Sequence, residues 1–214
     1  MLRRILLGCG IVASVLYVAT DVAAAIWYPD YHSFTSRVIS ELMASGAPTE
    51  RLVDPLFLMY GVLMLGFGVG MWMSDDRKRM HVAAALLLVY TAIGFLGPTL
   101  FEMNVRGSGG PAAADQRHIA LTALLVLVMM AGLLVAAPLR GRGFRIYTYA
   151  SVAAMIVLGG LTGVVAARAG DGPTPWAGVL ERGSIGAFLL WIAVLAVLLL
   201  RREVRVTDRL ASPH

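Results

Sequence analysis

The chain has one cysteine, one lysine and four histidines among 214 residues, and only 14% of its residues are charged. An ordinary soluble domain carries about 25% charged residues. That shortfall excludes a soluble globular enzyme, a disordered tail and a nucleic-acid-binding arm, so nucleic acid is not an expected partner. The lone Cys9 excludes an internal disulfide and a cysteine-built metal cage. Leu6-Leu7-Gly8-Cys9 imitates a lipoprotein cleavage box. The apolar run before it is shorter than the roughly 7–15 residues a signal h-region needs, so a buried thiol is expected instead. All basic residues but Lys78 are arginine, which alongside abundant alanine and glycine reads as the codon bias of a GC-rich genome.

What the chain has in quantity is apolar sequence: 58% of its residues, with a mean hydropathy of +0.76. A helical membrane crossing takes about 20 such residues. Six runs qualify, at 5–27, 55–73, 82–101, 119–137, 146–167 and 183–200. They predict an all-α, multi-pass protein whose single domain of six helices spans 1–214, with the lipid bilayer as its first partner. Arg3, Arg4 and Ala23-Ala24-Ala25 give the first run features of a signal peptide. Its length and the interfacial Trp27-Tyr28 favour an uncleaved helix. Pro55 suits the first turn of the second span, Pro98 the end of the third, and Pro138 closes the fourth.

The net charge of +5 is unevenly spread. Arg3, Arg4, Arg77, Lys78, Arg79, Arg140, Arg142, Arg145, Arg201, Arg202, Arg205 and Arg209 fall on one side of the predicted membrane. Half as many, Arg37, Arg51, Arg106, Arg117, Arg168 and Arg182, fall on the other. The positive-inside rule then places both termini in the cytoplasm, and the plasma membrane of a bacterium is the expected location. Most acidic residues lie on the opposite, outer side, where the loops are longer and function is sought. In the longest, 28–54, Phe34, Val38 and Leu42 recur every four residues, predicting a short amphipathic helix. Ser33 would cap it, Gly46 and Pro48 end it, and Arg37 pair with Glu41 on its polar side.

Ile39-Ser40-Glu41-Leu42, then Gly46-Ala47-Pro48, then an apolar span from Leu56 form one motif. Phe101-x-Met103-x-x-Arg106-Gly107 followed by Asp115-x-x-His118 forms a second. Together they resemble the bacterial membrane proteins grouped as domain of unknown function 998. Met43 stands where that pattern has a glycine. The resemblance implies a six-helix bundle with the Ser40-Glu41 and Asp115/His118 neighbourhoods as its signature, and it brings no activity with it.

Polar groups within reach of lipid are the other signal. Asp21 sits two turns inside the first span, where a carboxylate needs a partner or water. Arg182, Arg168 and His118 are the candidate partners. Asp115 and His118 share a helix face, so the acid could orient the imidazole or cap the helix. A metal would need more, such as Glu102 and His32, and neither a metal nor another cofactor is expected. Ser40 beside Glu41 invites a hydrolase reading, but no nucleophile elbow surrounds it. His81 and His118 fall at opposite ends of their spans, so they cannot share a haem.

Gly66/Gly70 and Gly159/Gly163 are small-xxx-small pairs that allow close helix approach, and they occupy equivalent spans of a three-plus-three arrangement. Met59, Met64, Met71 and Met73 read as adaptable packing. The expected function is binding or transport of a lipid or other amphiphile through an outer polar pocket of Asp21, Glu102, Arg106, His118, Glu181 and Arg182. The alternatives are a membrane hydrolase or metal-dependent enzyme drawing on His118, Asp115, Ser40 and Glu41, and an assembly subunit whose partner is another membrane protein.

Overall fold

In a computed structural model the protein is a bundle of six long helices. The structure describes residues 1–74, 77–100, 103–109, 111–169 and 172–211, with side chains at 96–100, 112 and 204–211 left aside. The helices are α1 (Leu2–Trp27), α2 (Glu50–Trp72), α3 (Lys78–Leu100), α4 (Ala112–Ala136), α5 (Arg142–Ala169) and α6 (Ala177–Ala211). All six contain a stretch long and apolar enough to cross a membrane, so this is a multi-pass membrane protein. The apolar runs located every helix but set its ends short. Charged first turns, such as Glu50-Arg51 of α2 and Asp115-Gln116-Arg117 of α4, belong to the helices yet fail a hydropathy window. Pro55 consequently lies inside α2 rather than in its first turn. Pro138 does follow the end of α4, in a short 3-10 turn at Ala137–Arg140.

Lipid tails are as apolar as leucine, so this bundle is held by close packing and polar crosslinks more than by expulsion of water. Gly66 faces Cys9, and Gly70 lies against the backbone of Leu6 and Leu7, which lets α2 press closely onto α1. Gly159 meets the Ser184 hydroxyl of α6. These glycines therefore serve contacts within one chain. Ser14 Oγ bridges to the Leu189 carbonyl at 3.0 Å, Tyr60 and Tyr90 hydroxyls meet at 3.0 Å, and Trp191 Nε1 donates to Thr148 Oγ1 at 2.9 Å. Met64, Met71, Met80, Met129 and Met155 fill the core, while Met59 and Met73 are exposed on the bundle's outside.

Helix neighbours run in sequence, α1 on α2, α2 on α3 and α3 on α4, with α6 closing back on α1 and α5. The weak junction is α4 with α5, which share little contact although only a short turn joins them. The first half, where α2 packs on both neighbours, is thus unlike the second, and a three-plus-three repeat gains no support from the packing.

The start of α1 and the end of α6 lie at one end of the bundle, the terminal end, where Arg3 pairs with Glu203. The first, third and fifth connections gather at the opposite end, the cap end.

Candidate functional site

The loop after α1 does not continue as the amphipathic α-helix its periodicity suggests. Its only helical turn is a five-residue 3-10 segment, Ile39–Met43, with Ile39, Glu41 and Leu42 buried. The reason lies in four consecutive carbonyls. Phe34 O and Arg37 O accept from Arg182 Nη1 at 3.3 and 2.7 Å, Thr35 O from the Gly178 amide at 3.0 Å, and Ser36 O from Thr174 Oγ1 at 2.7 Å. Carbonyls turned to the start of α6 cannot take amides from their own next turn. Ser33 Oγ meanwhile accepts from the Ser36 amide and sits 2.9 Å from the Ser36 hydroxyl, forming a local turn instead of a helix cap.

Gly178 is what allows this approach. A Cβ there would stand 2.6 Å from both Phe34 O and Arg37 O. One turn later along α6, Arg182 grips Asp21 of α1 with two parallel bonds of 2.7 Å, Nε to Oδ2 and Nη2 to Oδ1. The Asp21 side chain is 9% exposed and that of Arg182 is 16% exposed. His32 joins them, its Nε2 2.9 Å from Asp21 Oδ1 and 3.2 Å from Arg182 Nη2. A neutral imidazole nitrogen either donates or accepts. Donation from Nε2 to the carboxylate leaves Nη2 a close neighbour rather than a second partner. Phe34 packs edge-on against His32 and beneath the guanidinium. Glu181, the residue before Arg182, accepts the Ile39 amide.

A second buried acid ties the same loop to the third connection. Glu41 is 1% exposed; its Oε2 accepts the Val38 amide at 2.9 Å and its Oε1 accepts Arg106 Nε at 2.6 Å. The expected Arg37–Glu41 pair is not formed, because Arg37 lies over the Tyr31 ring at 3.9 Å. Burial raises the Tyr31 phenol above its ordinary range, which keeps it a donor to the Glu41 carbonyl at 2.9 Å. The Ser45 amide donates to Met103 O at 3.0 Å, and Ser45 and Asn104 form a single parallel bridge. The two motifs singled out in the sequence, around 39–48 and 101–118, are therefore neighbours in space.

Residues 11–198 match the family model described as protein of unknown function DUF998. The chain belongs to this family. Searches of curated proteins and of solved structures found no match.

In this DUF998 chain the candidate residues separate into two groups. Asp21, Arg182 and Glu181 meet at the start of α6, and Glu41 meets Arg106 beside them; the polar contacts of all five run to other parts of the protein. Asp115, in the first turn of α4, accepts the Asn104 amide at 2.9 Å and so holds the third connection, while the helix cap position is Pro111. His118 is half-buried one turn further along α4. Glu102 lies outside the described residues. Ser40 is half-buried, and among the described residues no imidazole is hydrogen-bonded to it. Nor, among those residues, do three His, Cys, Asp or Glu side chains converge there as a metal would need.

Sequence reasoning missed His32 as a partner of Asp21, and it missed Gly178 and Thr174 altogether. The signal for Asp21 and Arg182 was the cost of charge in lipid. His32 and Thr174, in loops, bear no such cost and no period, and Gly178 in the first turn of α6 carries no charge, so nothing marked the three.

Proposed function

We propose that this protein, in the plasma membrane of a bacterium with both termini cytoplasmic, binds a lipid or other amphiphile laterally beneath its outer cap. The observation that carries this reading is the sparse contact between α4 and α5. In this reading two helices that share so little contact leave an apolar approach from the bilayer between them. Exposed Ile119, Leu124 and Leu127 of α4 and Leu161 and Val164 of α5 give the two helices apolar outer surface. Binding sites of this kind are apolar with a few placed polar groups. Here the polar groups at its upper edge are Arg106, 20% exposed in its side chain, and His118 on α4, with exposed Arg168 at the end of α5. Asp21, Arg182, Glu181 and Glu41 take the supporting part: they fix the first loop over the bundle, and their polar atoms serve the protein.

Native mass spectrometry of gently purified protein tests the reading. A retained lipid-sized mass that weakens in His118→Ala and Arg168→Gln, with melting temperature unchanged, is the expected result. A bare monomer across lipid mixtures overturns it. The hydrolase reading has no observation in its favour, since Ser40 lacks a hydrogen-bonded base among the described residues. For the assembly reading Gly163 keeps open space around it, while Gly66, Gly70 and Gly159 pack within the chain.

A further inference from the structure

The terminal end of the bundle, opposite the cap, carries cations that have no partner among the described residues. Several of its basic groups have protein partners: Arg3 pairs with Glu203, Arg4 Nη2 donates to the Glu203 carbonyl at 3.4 Å, and Arg77 Nη1 donates to Leu139 O at 3.3 Å. Lys78 and Arg79 of α3 and Arg142 and Arg145 of α5 differ. All four are exposed, and among the described residues none has an ion pair or side-chain hydrogen bond.

Their placement runs against the internal electrostatics of the helices. The amino end of a helix bears partial positive charge and favours acids. At the cap end the chain follows that preference, with Glu50 in the first turn of α2 and Asp115 in that of α4. At the terminal end it reverses it. The first turns of α3 and α5 hold no acid and present these four cations instead. Each like-charge placement is unfavourable in itself and is offset by a nearby anion; Asp75 and Asp76, just before α3, lie outside the described residues.

The two basic pairs are also brought to one place. The Arg77–Leu139 bond joins the α2–α3 connection to the turn between α4 and α5, so Lys78/Arg79 and Arg142/Arg145 flank a single junction. Trp72, 48% exposed and stacked on His81, and exposed Tyr149 lie just membrane-ward of them. Exposed tryptophan and tyrosine mark the level of the lipid headgroups. The cations above them therefore stand at the level of the phosphates.

We infer that this junction is a docking surface for anionic phospholipid, with the headgroup phosphate held by Lys78, Arg79, Arg142 and Arg145. The surface is separate from the outer approach between α4 and α5 and does not depend on it. A zwitterionic headgroup brings its own ammonium to the same place and is discriminated against.

The test uses the full chain in mixed micelles containing phosphatidylglycerol and phosphatidylcholine, where both ends are accessible and insertion orientation has no influence. Native mass spectrometry reads which lipid is retained. Wild type is expected to prefer phosphatidylglycerol by about tenfold or more, since juxtamembrane basic residues each strengthen attraction to anionic lipid severalfold. The combined variant Lys78→Gln/Arg79→Gln/Arg142→Gln/Arg145→Gln should lose that preference. Each of the two paired variants, one on α3 and one on α5, should lose part of it, which keeps the test open if the fourfold change harms folding. Arg51→Gln/Arg117→Gln at the cap end serves as control and should retain the preference. Equal retention of the two lipids by wild type overturns the inference, as does a preference that follows the cap-end variant. Displacement of the lipid by millimolar inorganic phosphate would also overturn it, because the surface would then be a general anion site.

Discussion

Arg182 spends its donors on Asp21 and on three backbone carbonyls, those of Phe34, Arg37 and Gly178. Such a group is strongly coupled to its counter-charge. Breaking a largely buried pair by neutralising one partner costs about 3–5 kcal/mol in known cases, because the other charge stays behind uncompensated. Asp21→Asn is therefore expected to destabilise the protein by about 3 kcal/mol, read from unfolding in detergent, even though it removes no atom of bulk. His32→Ala should cost less, about 1 kcal/mol, since Asp21 keeps both bonds from Arg182. Equal and small losses for the two variants would mean that the cluster does not hold the loop. Gly178→Ala acts from the other side, adding one methyl where two carbonyl oxygens stand 2.6 Å from the new atom. Overpacking of that kind costs about 1–3 kcal/mol. The loop 28–49 should then become sensitive to protease while the helices stay folded.

The elements show where hydropathy is informative and where it fails. Every spanning helix was visible as an apolar run, because lipid forces the backbone into helix and the side chains to be apolar. The ends were not visible, because polar residues near the helix starts answer to loop partners instead: Glu50 to the Gly46 amide, Asp115 to Asn104, Glu181 to Ile39. Gly66, Gly70 and Gly159 were legible as close contacts, but their partners were not, and Gly163 makes no such contact. Gly70 faces a backbone, where an added Cβ would stand 2.9 Å from Leu7 N, whereas Gly163 has open space around it. Gly70→Ala should thus lower stability by more than about 1 kcal/mol. Gly163→Ala should be neutral or stabilising by up to about 1 kcal/mol through helix propensity. Thermal unfolding of the two single variants separates them, and equal effects would contradict the packing of α2 on α1.

At the scale of the whole molecule, one end is knitted and the other is charged. The cap draws α1, α6 and the first and third connections into one network of buried acids and arginines, and that is also where the family motifs meet. The terminal end carries cations on α3 and α5 that have no partner among the described residues. Charge asymmetry of this kind directs insertion, with the basic end retained in the cytoplasm. The single Cys9 makes the orientation easy to measure once it is replaced by serine. In that background Ser108→Cys, exposed in the third connection, should react with a membrane-impermeant thiol reagent added outside intact cells. Gly143→Cys, exposed at the start of α5, should react only after the cells are opened. The opposite pattern would place the cap in the cytoplasm. The lateral approach between α4 and α5 would then face the inner leaflet, and the amphiphile it serves would have to be sought among the lipids of that leaflet.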